Sequence, residues 1–295
     1  METLLQQGFN ALSVASILLL VGLGLAITFG LMRVINMAHG EFIMAGAYTA
    51  FLCGQLFKTS PDLAFLVALP AAFVATFGMG YLLENTVISR LYGRPLDTLL
   101  ATWGISLVLQ QAARSIFGAQ NVDVVAPSFL GGQLEIGGVT LPVLRLFIIG
   151  LALVCVGATA WFLYKTLWGR RIQAVMQNRE MASCLGISTR RVDALAFSLG
   201  SGLAGIAGCG VALLGSIGST TGTNYIVDAF MTVVLGGVGT VLGTVAGAVG
   251  IGVLNTGWEN FTNASLGKVL AFLCVIAFLQ WKPAGFIAVK SRALD

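Results

Sequence analysis

Residues 11–31 read ALSVASILLLVGLGLAITFGL, and no charged side chain interrupts them. An α-helix needs about 20 predominantly apolar residues to cross the hydrocarbon core of a bilayer. Further apolar stretches give the chain a mean hydropathy of +0.92. They lie at 34–57, 63–83, 98–117, 141–164, 194–217, 226–258 and 264–281. The sequence therefore predicts an all-α polytopic membrane protein with about 8–10 transmembrane or re-entrant helices.

The composition excludes most soluble classes of protein. The 295 residues are 57% hydrophobic and 9% charged, whereas soluble domains are about a quarter charged. Aqueous enzymes, nucleic-acid-binding proteins and secreted disulfide scaffolds do not fit this balance. The five cysteines show neither CxxC nor metal-ligand spacing, so we expect no metal site and no cofactor. Because no low-complexity linker divides the chain, we expect residues 1–295 to form one transmembrane domain.

The basic residues set the expected orientation, because cytoplasmic loops carry an excess of Lys and Arg. Loop 165–193 holds Lys165, Arg170, Arg171, Arg179, Arg190 and Arg191. Others are Arg33, Arg90 and Arg94, and, after the last apolar stretch, Lys282, Lys290 and Arg292. These segments are expected in the cytoplasm, with the N-terminus outside and the C-terminus inside. Loop 114–140 is then outside, and its glycine-flanked part 131–140 predicts a small β-hairpin.

Residues 226–258 do not fit a single crossing. Segment 194–217 ends outside and segment 264–281 must begin outside, so the stretch between them begins and ends on the outer side. It is expected to be either a re-entrant hairpin or two short helices. Its middle contains Gly236, Gly237, Gly239 and Gly243. Irregular backbone at membrane depth is tolerated only inside protein or beside a water-filled cavity.

Segment 34–57 is also unusual. Its clearly apolar part, 42–57, makes about 24 Å of helix, which is shorter than the hydrocarbon core of about 30 Å. Paired short or interrupted segments in the two halves of a transporter point to its binding site, and intramembrane acids usually face a cavity or a partner. The candidates for a translocation path are therefore Asn36, His39, Glu41, Asp228, Gly236 and Gly237. Structural hydrogen bonding, hinge and helix-packing roles are the alternatives.

The 38 glycines predict closely packed helices. Small residues recur four apart in three stripes, which are Gly22, Ala26 and Gly30, then Gly200, Ala204 and Gly208, then Gly239, Gly243 and Gly247. Such spacing lets helix backbones approach each other in lipid. The alternative, that glycine is simply common in membrane helices, explains one stripe but not three.

Loop 165–193 contains a predicted short helix. Apolar side chains interrupt an otherwise polar loop at Ala174, Met176, Met181, Ala182 and Leu185. Residues 178–185 suffice for a short helix, and Gly186 is suited to end it. A short exposed helix with apolar side chains binds either a protein partner or anionic lipid that attracts the neighbouring basic residues. The residues alone leave both alternatives open.

Three motifs resemble the branched-chain amino acid permease family of ABC importers. Residues 35–42 read INMAHGEF and are followed by GAY at 46–48; residues 169–208 contain NRE, LGI and AGIAG; and residues 235–243 read LGGVGTVLG. In such permeases a short cytoplasmic helix sits in a cleft of the ATPase. The resemblance therefore implies ATPase-coupling roles for Arg171, Asn178, Arg179, Glu180, Leu185 and Gly186. Within the family, residues 26–32 and 37–41 look most like the urea-transporter branch.

The resemblance implies a non-enzymatic permease subunit of an ATP-driven importer in the bacterial inner membrane, with urea as the expected substrate and branched-chain or other amino acids as the alternative. Its partners would be a second homologous permease subunit, two ATPase subunits, a periplasmic binding protein and membrane lipid. The chain has no GxxxxGK[ST] motif, so ATP hydrolysis would belong to other subunits. An ion-coupled carrier or channel using His39, Glu41 and Asp228 is the second class. An intramembrane Ser–His protease is disfavoured because the sequence around Ser201 lacks the expected flanking pattern.

Overall fold

The computed structural model describes residues 2–32, 36–136 and 139–287. Its helices are α1 Glu2–Met32, α2 His39–Leu56, α3 Pro61–Thr86, α4 Pro95–Phe117, α5 Val143–Lys165, α6 Leu167–Gln177, α7 Arg179–Cys184, α8 Thr189–Ala212, α9 Thr221–Gly236, α10 Val241–Glu259 and α11 Ala264–Trp281. Some residues used above lie outside the described ranges, namely Arg33, Ile35, Gly137, Gly138, Lys290 and Arg292.

The predicted all-α polytopic membrane class is confirmed. Within the described ranges, six helices are long and apolar enough to span a membrane: α1, α3, α5, α8, α10 and α11. Helices α2, α4 and α9 also lie in predicted apolar stretches. Of these, α2 has 18 residues and begins with His39 and Glu41 in its first turn, and α9 has only 16 residues. These two helices carry four of the candidate path residues, namely His39, Glu41, Asp228 and Gly236.

Residues 226–258 cover most of α9 and nearly all of α10, which are joined by a turn at 237–240. Segment 282–287 covers this turn: the N–H of Phe286 donates to the carbonyl of Leu235 at 2.8 Å, and that of Ile287 to Gly236 at 3.0 Å. A Cβ added at Gly239 would also come within 2.9 Å of Met176, which belongs to the basic loop. The turn therefore lies at the expected cytoplasmic end of the bundle. Of the two predicted alternatives, the stretch forms two helices and not a re-entrant hairpin that reverses inside the membrane.

Helix α2 begins part-way along α1 rather than beside its end. Helix α1 continues to Met32, yet the ring Nε2 of His39 lies 3.3 Å from the carbonyl oxygen of Val21. A Cβ added at Gly24 would meet the His39 ring at 3.0 Å. Within the described part of the predicted segment 34–57, which starts at residue 36, the α-helix begins at His39. The first turn of α2 thus lies in the middle of the bundle.

Glycines form the closest helix crossings. Helix α8 packs against α1, α2 and α3. Gly24 faces Gly200 between α1 and α8, and Gly46 faces Gly205 between α2 and α8, so that a Cβ at Gly24 or Gly46 would run into the opposing backbone. Members of all three predicted stripes lie at helix contacts, namely Gly22, Gly30, Gly200, Gly208, Gly243 and Gly247. The predicted close packing is confirmed.

The predicted hairpin in the outer loop is also confirmed. Strands β1 Gln133–Ile136 and β2 Val139–Pro142 pair antiparallel, with Gln133 opposite Pro142. The loop is tied to helix ends at two further points. The N–H of Ser128 donates to Asp62 at 2.6 Å, and Val122 forms a β-bridge with Ile217. The outer loop therefore covers the ends of α3 and α8.

Candidate functional sites

A buried polar group surrounds the first turn of α2. Asn36, His39 and Glu41 are 4%, 0% and 1% exposed. The side-chain oxygen of Asn36 accepts a hydrogen bond from the N–H of Ala38 at 3.0 Å, a local turn that leads the chain into the helix. The structure therefore brings together three of the residues that the sequence proposes for a translocation path.

Helix α4 covers the Glu41 carboxylate. Ser106 Oγ donates to Glu41 Oε1 at 2.8 Å, and Gln110 Nε2 donates to the same oxygen at 2.9 Å. Gln110 Nε2 also donates to the hydroxyl of Thr223, at the beginning of α9, at 3.0 Å. Glu41 is buried, Gln110 is half-buried and Thr223 is exposed. Polar atoms therefore extend from the protein surface to the carboxylate.

The α4 residues of this group were missed from the sequence, although a signal was present. Thr102, Ser106 and Gln110 are spaced four apart and so lie on one face of a helix. Thr102 also belongs to the group, because its hydroxyl accepts a hydrogen bond from the N–H of Met37 at 3.2 Å. The stripe predicts a polar helix face, but nothing local indicates that it faces Glu41.

Several polar atoms in this group have no hydrogen-bond partner among the described residues: Asn36 Nδ2, His39 Nδ1 and Glu41 Oε2. A buried polar atom without a partner costs about 1–3 kcal/mol, so such atoms are uncommon in protein interiors. Among the described residues, Glu41 also forms no salt bridge. The group thus has unused bonding capacity, which is typical of a site that binds a polar ligand.

The other path candidates lie elsewhere. Asp228 on α9 is ion-paired with Lys268 on α11, with 2.7 Å between Oδ2 and Nζ. Gly236 and Gly237 lie at the α9–α10 turn, against the backbone of Gly243 and Ile287 respectively. The structure therefore does not bring these three residues into the group around Glu41.

The cytoplasmic loop folds into two helices. The predicted short helix over 178–185 is confirmed as α7, and Asn178 is its N-cap, because its Oδ1 accepts the N–H of Met181 at 2.9 Å. Gly186 follows at φ +81°, which confirms the predicted helix stop. Helix α6, directly before α7, was not predicted; Arg171 is exposed on it, with its guanidinium 4.8 Å from the ring centre of Trp168.

One face of α7 is exposed and largely apolar. Met181 is 58% exposed, and Leu185, which follows the helix, is 76% exposed. Glu180 is exposed beside them, whereas Ala182 is buried. Large apolar side chains that cluster on a protein surface mark contacts with a partner or a membrane.

Arg179, by contrast, is directed toward the membrane helices. Its guanidinium forms a two-point ion pair with Asp193 on α8, with 3.2 Å from Nη1 to Oδ1, and Asp193 is fully buried. The guanidinium also lies 4.7 Å from the ring centre of Tyr92, whose hydroxyl donates to Glu84 on α3 at 3.1 Å. Burial, together with the carboxylates of Asp193 and Glu84, raises the pKa of Tyr92. Arg179 therefore connects α7 to both α3 and α8.

The known proteins that this chain is similar to are permease components of transport systems. The model of the family described as branched-chain amino acid transport system / permease component matches residues 8–279. The high-affinity branched-chain amino acid transport system permease proteins BraD of Pseudomonas aeruginosa and LivH of Escherichia coli are each 28% identical over 96% of this chain and 95% of their own length. The ribose import permease protein RbsC of Escherichia coli is 30% identical over 84% of this chain and 76% of its own. No solved structure matches the chain.

Proposed function

Because this chain belongs to the family of permease components of branched-chain amino acid transport systems, we propose that it is the membrane subunit of an ATP-driven amino acid importer. It is an ABC permease and a multi-pass protein of the inner membrane. The observation that supports an amino acid substrate is the agreement with relatives named for branched-chain amino acid transport, which extends over nearly the full length of both chains.

Amino acids are a better-supported substrate than urea. In the sequence alone, residues 26–32 and 37–41 favour the urea branch. The relatives reported above, however, are named for branched-chain amino acids or for ribose. The urea prediction has no support from them, and urea is kept as the competing substrate in uptake experiments.

The proposed translocation path runs along the face formed by the start of α2, α4 and α9. On this face Gln110 is half-buried, and Thr223 and Asn224 are exposed. Polar side chains at membrane depth face a partner or water rather than lipid. We therefore place the path between this chain and a second permease subunit, with Asn36, His39 and Glu41 in its wall. We assign Asp228, Gly236 and Gly237 to helix packing.

The proposed ATPase contact is the exposed face of α7. A protein partner is favoured over anionic lipid because Glu180 lies on this face, and a negatively charged headgroup would repel its carboxylate. Asn178 and Gly186 set the two ends of the helix, Arg171 adds positive charge beside it, and Arg179 holds it to the membrane helices. The proposed importer therefore contains two ATPase subunits and a periplasmic binding protein in addition to the two permease subunits.

Replacing both Met181 and Leu185 by Glu is expected to prevent the ATPase subunits from binding. Burying two carboxylates in an apolar cleft is unfavourable, so co-purification and uptake should both fall by at least about tenfold. The matched control is Val125→Glu in the outer loop, where the side chain is also 72% exposed; it should leave both measurements unchanged. Normal co-purification and uptake in the double variant would contradict the assignment of α7.

A further inference from the structure

We propose that Glu41 is the acceptor for the N–H donors of the transported molecule, and that Ser106 and Gln110 take the place of those donors in the conformation of this structure. The proposal rests on the proposed function, since it takes the chain to transport a nitrogen-bearing solute. It adds to that function a binding group, the ligand chemistry that this group recognises, and the helix that covers it.

The environment of Glu41 differs from that of a structural carboxylate. A buried carboxylate is costly unless a cation or a full set of hydrogen bonds compensates it. Asp193 and Asp228 each have a cationic partner. Glu84 also has an Oε2 without a hydrogen bond in the described part of the chain, but the positive charges of Arg179 and Arg190 lie near it. Glu41 has no cationic partner among the described residues, and its Oε2 accepts no hydrogen bond there. A positively charged or strongly donating N–H group would supply what this carboxylate lacks.

Helix α4 is attached to the bundle through the same polar group. Among the described helices, α2 is the one that α4 contacts most. Ser106 and Gln110 face Glu41 on α2, whereas much of the remaining surface of α4 is exposed, including Leu100 and Val108. Few apolar side chains hold α4 in place near Ser106 and Gln110. Helix α4 can therefore move away from Glu41 by exchanging hydrogen bonds, without the opening of a packed core.

The outer end of α4 is anchored differently. The ring of Phe117, its last residue, is stacked on Tyr48 of α2 with 4.2 Å between ring centres. An apolar anchor at this end and an exchangeable polar contact near the middle allow α4 to tilt about Phe117. The hydrogen bond from Gln110 to Thr223 would be among the first to open, because Thr223 is on the exposed side.

A nitrogen-bearing solute can replace the α4 donors. Ser106 offers an O–H and Gln110 an N–H, and a primary ammonium group offers three N–H donors. An ammonium group also carries a full positive charge, so the carboxylate attracts it by Coulomb interaction as well as by hydrogen bonds, whereas the α4 donors are neutral. An ammonium group would therefore displace the neutral donors of α4 and occupy both oxygens of Glu41. Glu41 would then bind the solute in the same step in which it releases the donors of α4.

The test is uptake by the complete importer, with its binding protein and ATPase subunits, in proteoliposomes. Glu41→Gln keeps the size of the side chain and removes its charge, and we expect leucine uptake to fall by at least about tenfold with normal co-purification of the ATPase subunits. Glu41→Asp keeps the charge and should retain uptake with a raised KM. Gln111→Leu, exposed beside Gln110 on α4, is the control and should stay within about twofold of the unmodified chain.

Uptake by Glu41→Gln at the unmodified rate would overturn the proposal. Equal losses in Glu41→Gln and Glu41→Asp would also overturn it, because they would indicate a packing role. Labelled urea and ribose separate this proposal from the proposed function. If urea is carried instead of leucine, the amino acid substrate is wrong, but the same dependence on Glu41 is still required, because urea also donates N–H groups. Carriage of ribose alone would overturn both, since ribose has no N–H.

Discussion

Arg179→Ala is expected to abolish uptake while leaving the ATPase subunits bound. The substitution leaves Asp193 buried without its cation. Breaking a fully buried ion pair in this way costs about 3–5 kcal/mol, and the cost here is smaller because the Arg179 side chain is 39% exposed. It also removes the contact with Tyr92, so that α7 loses its connections to α3 and α8. The exposed face with Met181 and Leu185 remains. We therefore expect ATP hydrolysis to continue without transport, measured as the number of ATP molecules hydrolysed per leucine taken up.

A double-mutant cycle makes this prediction specific. Adding Asp193→Asn to Arg179→Ala removes the uncompensated charge, so the double variant should unfold at a higher temperature than Arg179→Ala alone. Arg191→Ala is the control, since Arg191 is exposed on α8 and forms no salt bridge within the described part of the chain. If Arg179→Ala instead releases the ATPase subunits at unchanged stability, Arg179 contacts the ATPase directly, and its role as the connection to α3 and α8 is wrong.

Gly208→Ala is expected to be among the most damaging single-methyl additions in the bundle. The new Cβ would meet the carbonyl oxygen of Ile43 and come within 2.7 Å of the backbone nitrogen of Ala47. Backbone atoms in the middle of a helix cannot move aside as a side chain can, so α2 and α8 must separate. We expect a loss of at least about 2–3 kcal/mol, seen as a lower midpoint of thermal unfolding in detergent and a lower yield from membranes.

Gly210→Ala is the matched control for this substitution. It lies two residues along the same helix, and the nearest atom to an added Cβ is a side-chain carbon of Leu20 at 3.6 Å, an ordinary contact. Because Ala is favoured over Gly in a helix by about 0.5–1 kcal/mol, this variant should be neutral or slightly stabilised. Equal unfolding midpoints for the two variants would contradict the α2–α8 crossing.

The sequence predicts those features that depend on neighbouring residues or on the number of membrane crossings. The charge of the loops required an even number of crossings within 226–258, and the structure has two helices there. Asn178 and Gly186 marked the ends of α7 through their own backbone preferences. The glycine stripes indicated close crossings because spacing by four puts small residues on one helix face.

The remaining features depend on contacts that no local pattern encodes. Glu41 and Ser106 are 65 positions apart, so the spacing of Ser106 and Gln110 identified a polar face but not its partner. Asp193 lies two residues after Arg191, and nothing in the sequence pairs it with Arg179 instead. The position along α1 at which α2 begins is likewise set by packing between these two helices, where His39 lies beside Val21.

The most direct test of the account is leucine uptake into proteoliposomes that contain either this chain alone or the complete importer. We predict ATP-dependent uptake only with the second permease subunit, the ATPase subunits and the binding protein, and none by the chain alone under a proton gradient. Uptake by the chain alone, driven by the gradient without ATP, would contradict the account and would instead support an ion-coupled carrier that uses His39, Glu41 and Asp228.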